Sequence, residues 1–258
     1  MKKPDATRRL SALVAALALA AFGLAFAQKY PDADALIAAV DARPEPATSQ
    51  ATLTMTITTA GGQTLSREMQ TWSEGTTKRI IKFTAPADIK GSGFLTLTAA
   101  DGSEEKLVYL PALDRVRRIA GGQQGDSFFG SDFAYEDITG IDQEDYTHKL
   151  LEVRDGPVYV VEAVPTPESG SSYERLVLEV PEDTLIPQRV EYYRGGELAK
   201  VLTVSGLTEV DGYTVAGERR MESVKGGKVS TFTVITQSDV QLDVTLPDEL
   251  FTERYLRR

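Results

Sequence analysis

Short stretches of alternating polar and apolar residues, separated by glycine-containing turns, limit most strongly how this chain can fold. Within residues 51–58, Leu53, Met55 and Ile57 alternate with threonines, and a period of two predicts a β-strand with one apolar face. Similar segments recur as far as residue 243. Two-residue hairpin signals separate many of them: Gly61-Gly62, Asp101-Gly102, Asp155-Gly156, Gly195-Gly196, Asp211-Gly212 and Gly226-Gly227. This spacing predicts a mainly β protein with an antiparallel sheet that is closed or nearly closed.

Two helical patterns flank the predicted strands. Residues 32–43 place Leu36, Ile37 and Val40 at helical spacing and stop before a proline-rich turn. Residues 247–256 are expected to form a short terminal helix. Because the chain shows no internal repeat and no break in composition, residues 28–258 are expected to form one domain.

Several predicted strands are apolar on both faces. Residues 158–161 are Val-Tyr-Val-Val, and residues 176–178 are Leu-Val-Leu. A sheet of this kind can wrap around a helix, or it can enclose a cavity that takes a hydrophobic ligand. The pattern alone leaves both possibilities open.

The first 27 residues have the organisation of a secretory signal peptide. Basic residues between Lys2 and Arg9 precede an Ala/Leu-rich run from Leu10 to Phe26, and residues 25–27 form an A-x-A cleavage pattern. We predict cleavage near Ala27 and export of residues 28–258. A retained membrane anchor is the alternative, because the apolar run is nearly long enough to span a bilayer.

The charge balance and the absence of cysteine exclude several classes of function. The chain has 38 acidic and 28 basic residues, and a formal net charge of −10. Counterion release requires clustered cations, so nucleic acid is not expected as a partner. Acidic chains also leave anionic lipid surfaces readily, so membrane contact is expected to be transient. Without cysteine there can be no disulfide and no thiolate metal site, and no metal or cofactor is expected.

Catalytic patterns are weak in this sequence. His148 is the only histidine, and no G-x-S-x-G element is present. We expect His148 to be an ordinary surface residue at the start of a strand. The carboxylates in residues 142–145 are expected to be solvated, since their proximity in sequence does not establish a catalytic pair. The sequence therefore indicates a protein that is not an enzyme.

A long central motif resembles a known family. Residues 107–119 (LVYLPALDRVRRI), followed by residues 129–133 (FGSDF) and 135–137 (YED), resemble the signature of the outer-membrane lipoprotein-sorting (LolA-like) family of exported proteins. The ending at residues 248–256 also fits that pattern. The likeness covers essentially all of residues 28–258.

The resemblance implies both a fold and a function. It implies a single unclosed antiparallel β-barrel wrapped around a hydrophobic cavity, with short helices and a loop as its lid. It further implies a periplasmic carrier, expected to be a monomer, of acylated lipoproteins or other lipids. The central motif is more similar to the branch associated with inner-membrane transporters of the resistance-nodulation-division (RND) class than to the dedicated lipoprotein chaperone. A sensor or scaffold that holds a lipid or protein signal and delivers no cargo is the alternative.

Residues 128–137 contain four aromatic side chains. They are Phe128, Phe129, Phe133 and Tyr135. On the resemblance, these rings would lie across the mouth of the barrel and contact the ligand, and neighbouring glycines would let the loop move. Three carboxylates, Asp132, Glu136 and Asp137, would keep its outer side in water or cap a short helix. A fixed plug that completes the core is the alternative.

Three arginines lie within four residues of this acidic chain. Arg115 and Arg117 should share one face of a strand, and Arg118 should lie on the opposite face. One interpretation is that Arg115 and Arg117 contact a lipid head group, or a partner, at the rim of the cavity, because a guanidinium can donate two parallel hydrogen bonds to a phosphate or carboxylate. The other is a structural network with Asp114, Asp132 or Glu136.

Overall fold

The computed structural model describes residues 28–140 and 142–258, so the predicted signal peptide at residues 1–27 lies outside the described residues. Within them, thirteen strands form one antiparallel sheet. The strands are β1 (Thr48–Thr58), β2 (Thr64–Glu74), β3 (Lys78–Ala85), β4 (Gly93–Thr98), β5 (Glu104–Leu110), β6 (Arg115–Arg118), β7 (Tyr146–Arg154), β8 (Val158–Pro165), β9 (Arg175–Pro181), β10 (Arg189–Arg194), β11 (Glu197–Val210), β12 (Tyr213–Lys225) and β13 (Lys228–Leu242). Consecutive hairpins build most of the sheet.

The order of the strands leaves the barrel unclosed. It runs β6-β5-β4-β3-β2-β1-β13-β12-β11-β10-β9-β8-β7, so the first and last strands pair with each other in the middle. The two edges, β6 and β7, are consecutive in the chain. The prediction of a mainly β, unclosed antiparallel barrel is therefore confirmed, and the segment that joins its two edges is one connection, residues 119–145.

The inner face of the sheet carries the main hydrophobic core. Met55 of β1, Phe94 of β4 and Val161 of β8 belong to one buried cluster, although β4 and β8 lie in opposite halves of the sheet. The sheet must therefore curl so that its two halves face a common interior. Alternation along each strand places every second side chain in that interior.

In the described part of the chain, three α-helices lie outside the sheet: α1 (Ala33–Asp41), α2 (Tyr135–Thr139) and α3 (Glu253–Leu256). The Asp32 side chain accepts a hydrogen bond from the Ala35 amide at 2.8 Å and caps α1, from which Leu36 and Val40 join the main core. The predicted helix at residues 32–43 is thus confirmed. Among the described residues, no helix is both long enough and apolar enough to cross a membrane.

The C-terminal segment builds a second, smaller core on the outer face. Leu256 of α3 is fully buried there with Ile80 and Leu95, and Tyr255 packs against it. The helix predicted at residues 247–256 is shorter than expected and covers only Glu253–Leu256. Its start is set by Thr252, whose hydroxyl accepts a hydrogen bond from the Tyr255 amide at 3.1 Å.

Candidate functional site

The connection between the two sheet edges places its rings inside the barrel. We call residues Phe128–Asp137 the aromatic segment. Phe128 and Phe133 are 0% and 2% exposed and Tyr135 is buried, whereas Phe129 is half-buried. All four belong to the main core or pack against it. The expected hydrophobic cavity is, in this structure, occupied by the protein's own rings around Phe128.

Ring packing centres on Phe128. Its centroid lies 5.5 Å from that of Phe94, 4.9 Å from Phe129, 5.6 Å from Tyr135 and 6.1 Å from Phe83. The contacts with Phe94, Phe129 and Tyr135 are edge-to-face, the arrangement that aromatic quadrupoles favour. The segment therefore meets the sheet through specific ring contacts as well as through buried area.

A tight reversal of the chain brings these rings together. Phe128–Gly130 form a 3-10 turn in which Phe129 has φ 50° and Gly130 has φ 75°. The left-handed region is costly for a residue with a side chain, so packing must hold Phe129 there. The chain then enters α2, and the Asp137 carboxylate accepts a hydrogen bond from the Ala134 amide at 2.7 Å.

Asp132 binds the aromatic segment to β12 and β13. Its carboxylate accepts hydrogen bonds from the hydroxyls of Thr233 at 2.7 Å, Ser223 at 2.6 Å and Thr231, and its own amide donates to the Thr233 hydroxyl at 3.0 Å. Asp132 is only 8% exposed. The expectation that it faces water is wrong, because three inward-facing hydroxyls of the sheet take the place of solvent.

The short helix α2 is held through two further carboxylates. The almost fully buried Asp137 side chain accepts hydrogen bonds from the Lys200 ammonium at 2.9 Å and from the Tyr173 hydroxyl at 2.9 Å. Burial and the charge of Asp137 raise the pKa of Tyr173. Glu136 accepts hydrogen bonds from the Ser171 hydroxyl at 3.0 Å and the Ser172 amide at 3.1 Å. Asp137 therefore caps the helix as expected, but neither carboxylate lies on a freely solvated side.

Two interior arginines bind backbone carbonyls of this connection. Arg67 of β2 donates to the Phe129 carbonyl, and Arg79 of β3 donates to the Ile138 carbonyl at 2.8 Å. Neither arginine belongs to a motif that predicts a site. A signal was available, since each lies two positions before an inward apolar residue, Met69 or Ile81, and so occupies an inward position itself.

One end of the interior is polar and reached by solvent. Arg219 of β12 lies opposite Ile235 and therefore on the inner face, and burial and the charge of Arg79 lower the pKa of Arg219. Burial likewise lowers the pKa of Arg79. Arg219 is nevertheless an exposed residue. Solvent therefore reaches the inner face of the sheet at Arg219.

The arginine cluster at β6 is arranged as predicted, but its expected partners differ. Arg117 pairs with Val108 on the inner face, and Arg118 lies on the outer face, where it forms an ion pair with Glu105. The expected network with Asp114, Asp132 or Glu136 does not form within residues 28–140 and 142–258. Among these described residues, the exposed Arg115 and Arg117 form no ion pair.

His148 lies in β7 and is half-buried, so it is less exposed than expected. Its Nε2 atom is 2.9 Å from the Gln143 side-chain oxygen, and burial lowers the pKa of the imidazole. No group of three or more His, Cys, Asp or Glu side chains that could hold a metal ion is found among the described residues.

Replacing Asp132 with asparagine is expected to loosen the aromatic segment while leaving the sheet intact. An amide of the same shape accepts on one atom only, so at least one hydroxyl loses its partner, at a cost of about 1–3 kcal/mol. Amide hydrogen exchange in residues 127–139 should accelerate by about tenfold or more. Asp155→Asn, in an exposed hairpin turn, is the matched control. Unchanged exchange in Asp132→Asn would mean that Asp132 does not hold the segment.

The unclosed antiparallel barrel with a few short helices is the fold of LolA-like proteins, and similar solved structures support this class. The structure of a DUF1329 family protein from Desulfovibrio piger is 31% identical, with a TM-score of 0.78, and the match covers 86% of this chain and 96% of that one. An outer membrane lipoprotein-sorting protein domain from Vibrio parahaemolyticus is 30% identical, with a TM-score of 0.78 and coverage of 86% and 97%. A LolA superfamily protein from Nitrosomonas europaea, at 23% identity, a TM-score of 0.69 and coverage of 87% and 99%, shares the fold.

A family model described as that of an uncharacterized protein matches residues 75–258. The chain belongs to the DUF1329 family of outer-membrane lipoprotein-sorting (LolA-like) proteins, as its central motif predicts. It therefore has a lipoprotein-sorting fold. No curated protein matches the chain in sequence.

Proposed function

We propose that this protein is a periplasmic carrier that takes the acyl chains of lipoproteins or lipids into its interior and shuttles them between membranes. The aromatic segment is the lid of that interior. The carrier performs no chemical step, works as a monomer, and contacts membranes transiently. A signal peptide in residues 1–27 directs its export. The similarity to lipoprotein-sorting structures supports this proposal at the level of the fold.

The observation that carries the proposal is how the interior is covered. Much of the inner face of the sheet is apolar, and the rings that cover this apolar part come from a single connection, residues 119–145, between the two edges of the sheet. Moving that connection requires no strand pair to break. Polar contacts at Asp132, Asp137, Arg67 and Arg79 hold it in place. Its displacement would uncover an apolar surface of the kind that acyl chains bind.

Simple magnitudes support an exchange between the lid and the cargo. Burying an acyl chain of about 16 carbons is worth roughly 12–13 kcal/mol, at about 0.8 kcal/mol for each methylene. Displacing Phe128, Phe133 and Tyr135 costs about 1.5–3 kcal/mol for each side chain. Hydrogen bonds exchanged for water add about 1 kcal/mol each, and more where a charge takes part. The two totals are of similar size, so cargo and lid can replace each other reversibly.

The exposed arginines of β6 suit the outer parts of such a cargo. Arg115 and Arg117 lie at the edge strand β6, next to the start of the connection, and both are exposed. Their guanidinium groups can bind the phosphate or carboxylate of a head group, or an acidic surface of a partner. Direction must come from that partner, because the exchange itself is nearly balanced. We assign this role to an inner-membrane transporter. The resemblance of the central motif implies that this transporter is of the RND class.

Lipid transfer between vesicles tests the proposal. Protein purified from its native periplasm is first examined by native mass spectrometry, which should show a lipid or acylated peptide bound in stoichiometric amount. It is then added to donor vesicles that contain a fluorescent acyl lipid and to unlabelled acceptor vesicles. The transfer rate should rise in proportion to the concentration of the carrier.

The same experiment separates the alternatives. Bound lipid without transfer would favour the sensor or scaffold, which holds its ligand and delivers nothing. Neither bound lipid nor transfer would mean that the aromatic segment is a permanent plug, and would contradict the proposal.

A further inference from the structure

A recess lies on the outer face, on the opposite side of the sheet from the aromatic segment. It has a volume of about 590 Å³ and lies between β2, β3, β5 and the C-terminal segment. Trp72, Tyr109 and Tyr255 contribute its aromatic walls, and Lys82 of β3 lies among them. A cavity of this size, lined by aromatic side chains with a few polar groups, has the dimensions of a small-molecule site.

Lys82 is the unusual group of this recess. It is 9% exposed, and its ammonium donates to the carbonyls of Gly91 at 2.8 Å and Leu256 at 2.5 Å. Both acceptors are neutral. No carboxylate lies within 4.0 Å of the ammonium in the described part of the chain. An ammonium has three protons to donate, so one remains for another acceptor.

The backbone makes room for this lysine. A Cβ atom at Gly93 would lie 2.9 Å from the Lys82 Cδ atom and 2.7 Å from the Leu256 Cδ1 atom. Glycine at this position therefore lets the lysine stem cross the neighbouring strand and places the ammonium beneath α3. A buried charge without a counter-ion is costly. Since specific packing nevertheless holds the Lys82 ammonium in this position, a bound ligand is expected to supply its counter-ion.

The charge around the recess is opposite to that of the whole protein. None of the described residues that line it is acidic, and four are basic, although acidic residues outnumber basic ones in the chain. Arg257 and Arg258 are neutralised by Glu253 and Glu249 at 2.9 and 2.8 Å. Lys82 and Lys90 form no ion pair among residues 28–140 and 142–258. The recess therefore combines apolar walls with uncompensated positive charge.

We propose that the recess binds a small organic anion with a flat apolar body, whose negative group contacts the Lys82 ammonium and whose body lies against Trp72, Tyr109 and Tyr255. Direct charge pairing replaces the missing carboxylate, and the aromatic walls remove the apolar body from water. This site is separate from the lipid interior and does not depend on the carrier function.

The probe is 8-anilinonaphthalene-1-sulfonate, an aromatic anion, and the neutral N-phenyl-1-naphthylamine is its uncharged counterpart. Trp72 is the only tryptophan of the chain, so quenching of its fluorescence reports binding at this recess. Lys82→Met should weaken binding of the anion at least tenfold and leave binding of the neutral probe unchanged. Lys78→Met, on the same face of the same strand and paired with Glu74 at 2.8 Å, is the matched control and should bind the anion normally.

Three results would overturn the proposal: no quenching of Trp72 in the wild-type protein, equal affinity in Lys82→Met, or an equal loss in Lys78→Met. The wild-type protein alone supplies a further test if Lys82→Met does not fold. Burial lowers the pKa of Lys82 to about 8, so affinity for the anion should fall as the pH rises through that value. The other titratable groups of the recess are Lys90, Tyr109, Tyr255, Arg257 and Arg258. A constant affinity between pH 7 and 9 would contradict a contact with Lys82.

Discussion

A disulfide between the aromatic segment and β13 is expected to stop lipid transfer. The double variant Asp132→Cys/Thr233→Cys replaces two residues that are joined by two hydrogen bonds. The Thr233 hydroxyl donates to the Asp132 carboxylate at 2.7 Å, and the Asp132 amide donates to the Thr233 hydroxyl at 3.0 Å. Such proximity is compatible with the Cα separation of about 4.4–6.8 Å that disulfides require. Since the chain has no other cysteine, the oxidised variant contains one defined cross-link. Its transfer rate between vesicles should be at least tenfold below that of the wild type.

The reduced form of the same double variant is the control. Reduction removes the cross-link, and the segment then lacks the Asp132 contacts, so transfer should be at least as fast as in the wild type. Wild-type protein treated with the same oxidant accounts for other effects of the reagent. If the oxidised variant transferred lipid as fast as the reduced one, the lid would not need to leave β13 and the proposed opening would be wrong.

Truncation of the central ring is expected to produce the largest loss of stability. Phe128 is 0% exposed and contacts Phe83, Phe94, Phe129 and Tyr135. Phe128→Ala should lower the free energy of unfolding by about 3–5 kcal/mol, because it removes a buried side chain and leaves a cavity among rings that cannot collapse fully. Urea denaturation followed by circular dichroism measures this change.

Two alanine variants in the same part of the chain calibrate that result. Phe129→Ala should cost less than Phe128→Ala, since Phe129 is half-buried. Leu113→Ala should change stability by no more than about 0.5 kcal/mol, because Leu113 is 58% exposed. A loss below about 1 kcal/mol for Phe128→Ala would mean that the segment is not part of the main core in solution.

Most of the strands could be predicted because their signals are local. Alternation and the turn at Asp101-Gly102 predict a strand over residues 104–110, and β5 has these bounds. In contrast, the sequence pattern predicts a strand over residues 198–205, whereas β11 continues to Val210. Gly206 has φ 65°, and the close approach of Gly217 to its carbonyl lets the ladder continue past the bend. Gly206 therefore marks a bend within the strand and not its end, because the register with β12 is the same before and after it, and only the partner strand distinguishes the two.

The face of each inward residue was also predictable in part. Alternation placed Arg115 and Arg117 on one face and Arg118 on the other, and the strand register confirms this. The partners of these residues were not predictable. Asp132 and Glu136 lie close to the arginines in sequence, yet they bind Thr233 and Ser172, about 101 and 36 residues further along the chain.

The sequence alone determined the class of this protein: its central motif indicated the family, and the period-two pattern with its hairpin signals specified an antiparallel sheet. Both are local properties, because side-chain alternation and turn geometry act over a few residues. Only the tertiary structure decided that the first and last strands pair, that the aromatic segment lies inside the barrel, and that Lys82 is buried beneath α3. These features depend on contacts between distant parts of the chain, where burial and partner are set by how the sheet curls.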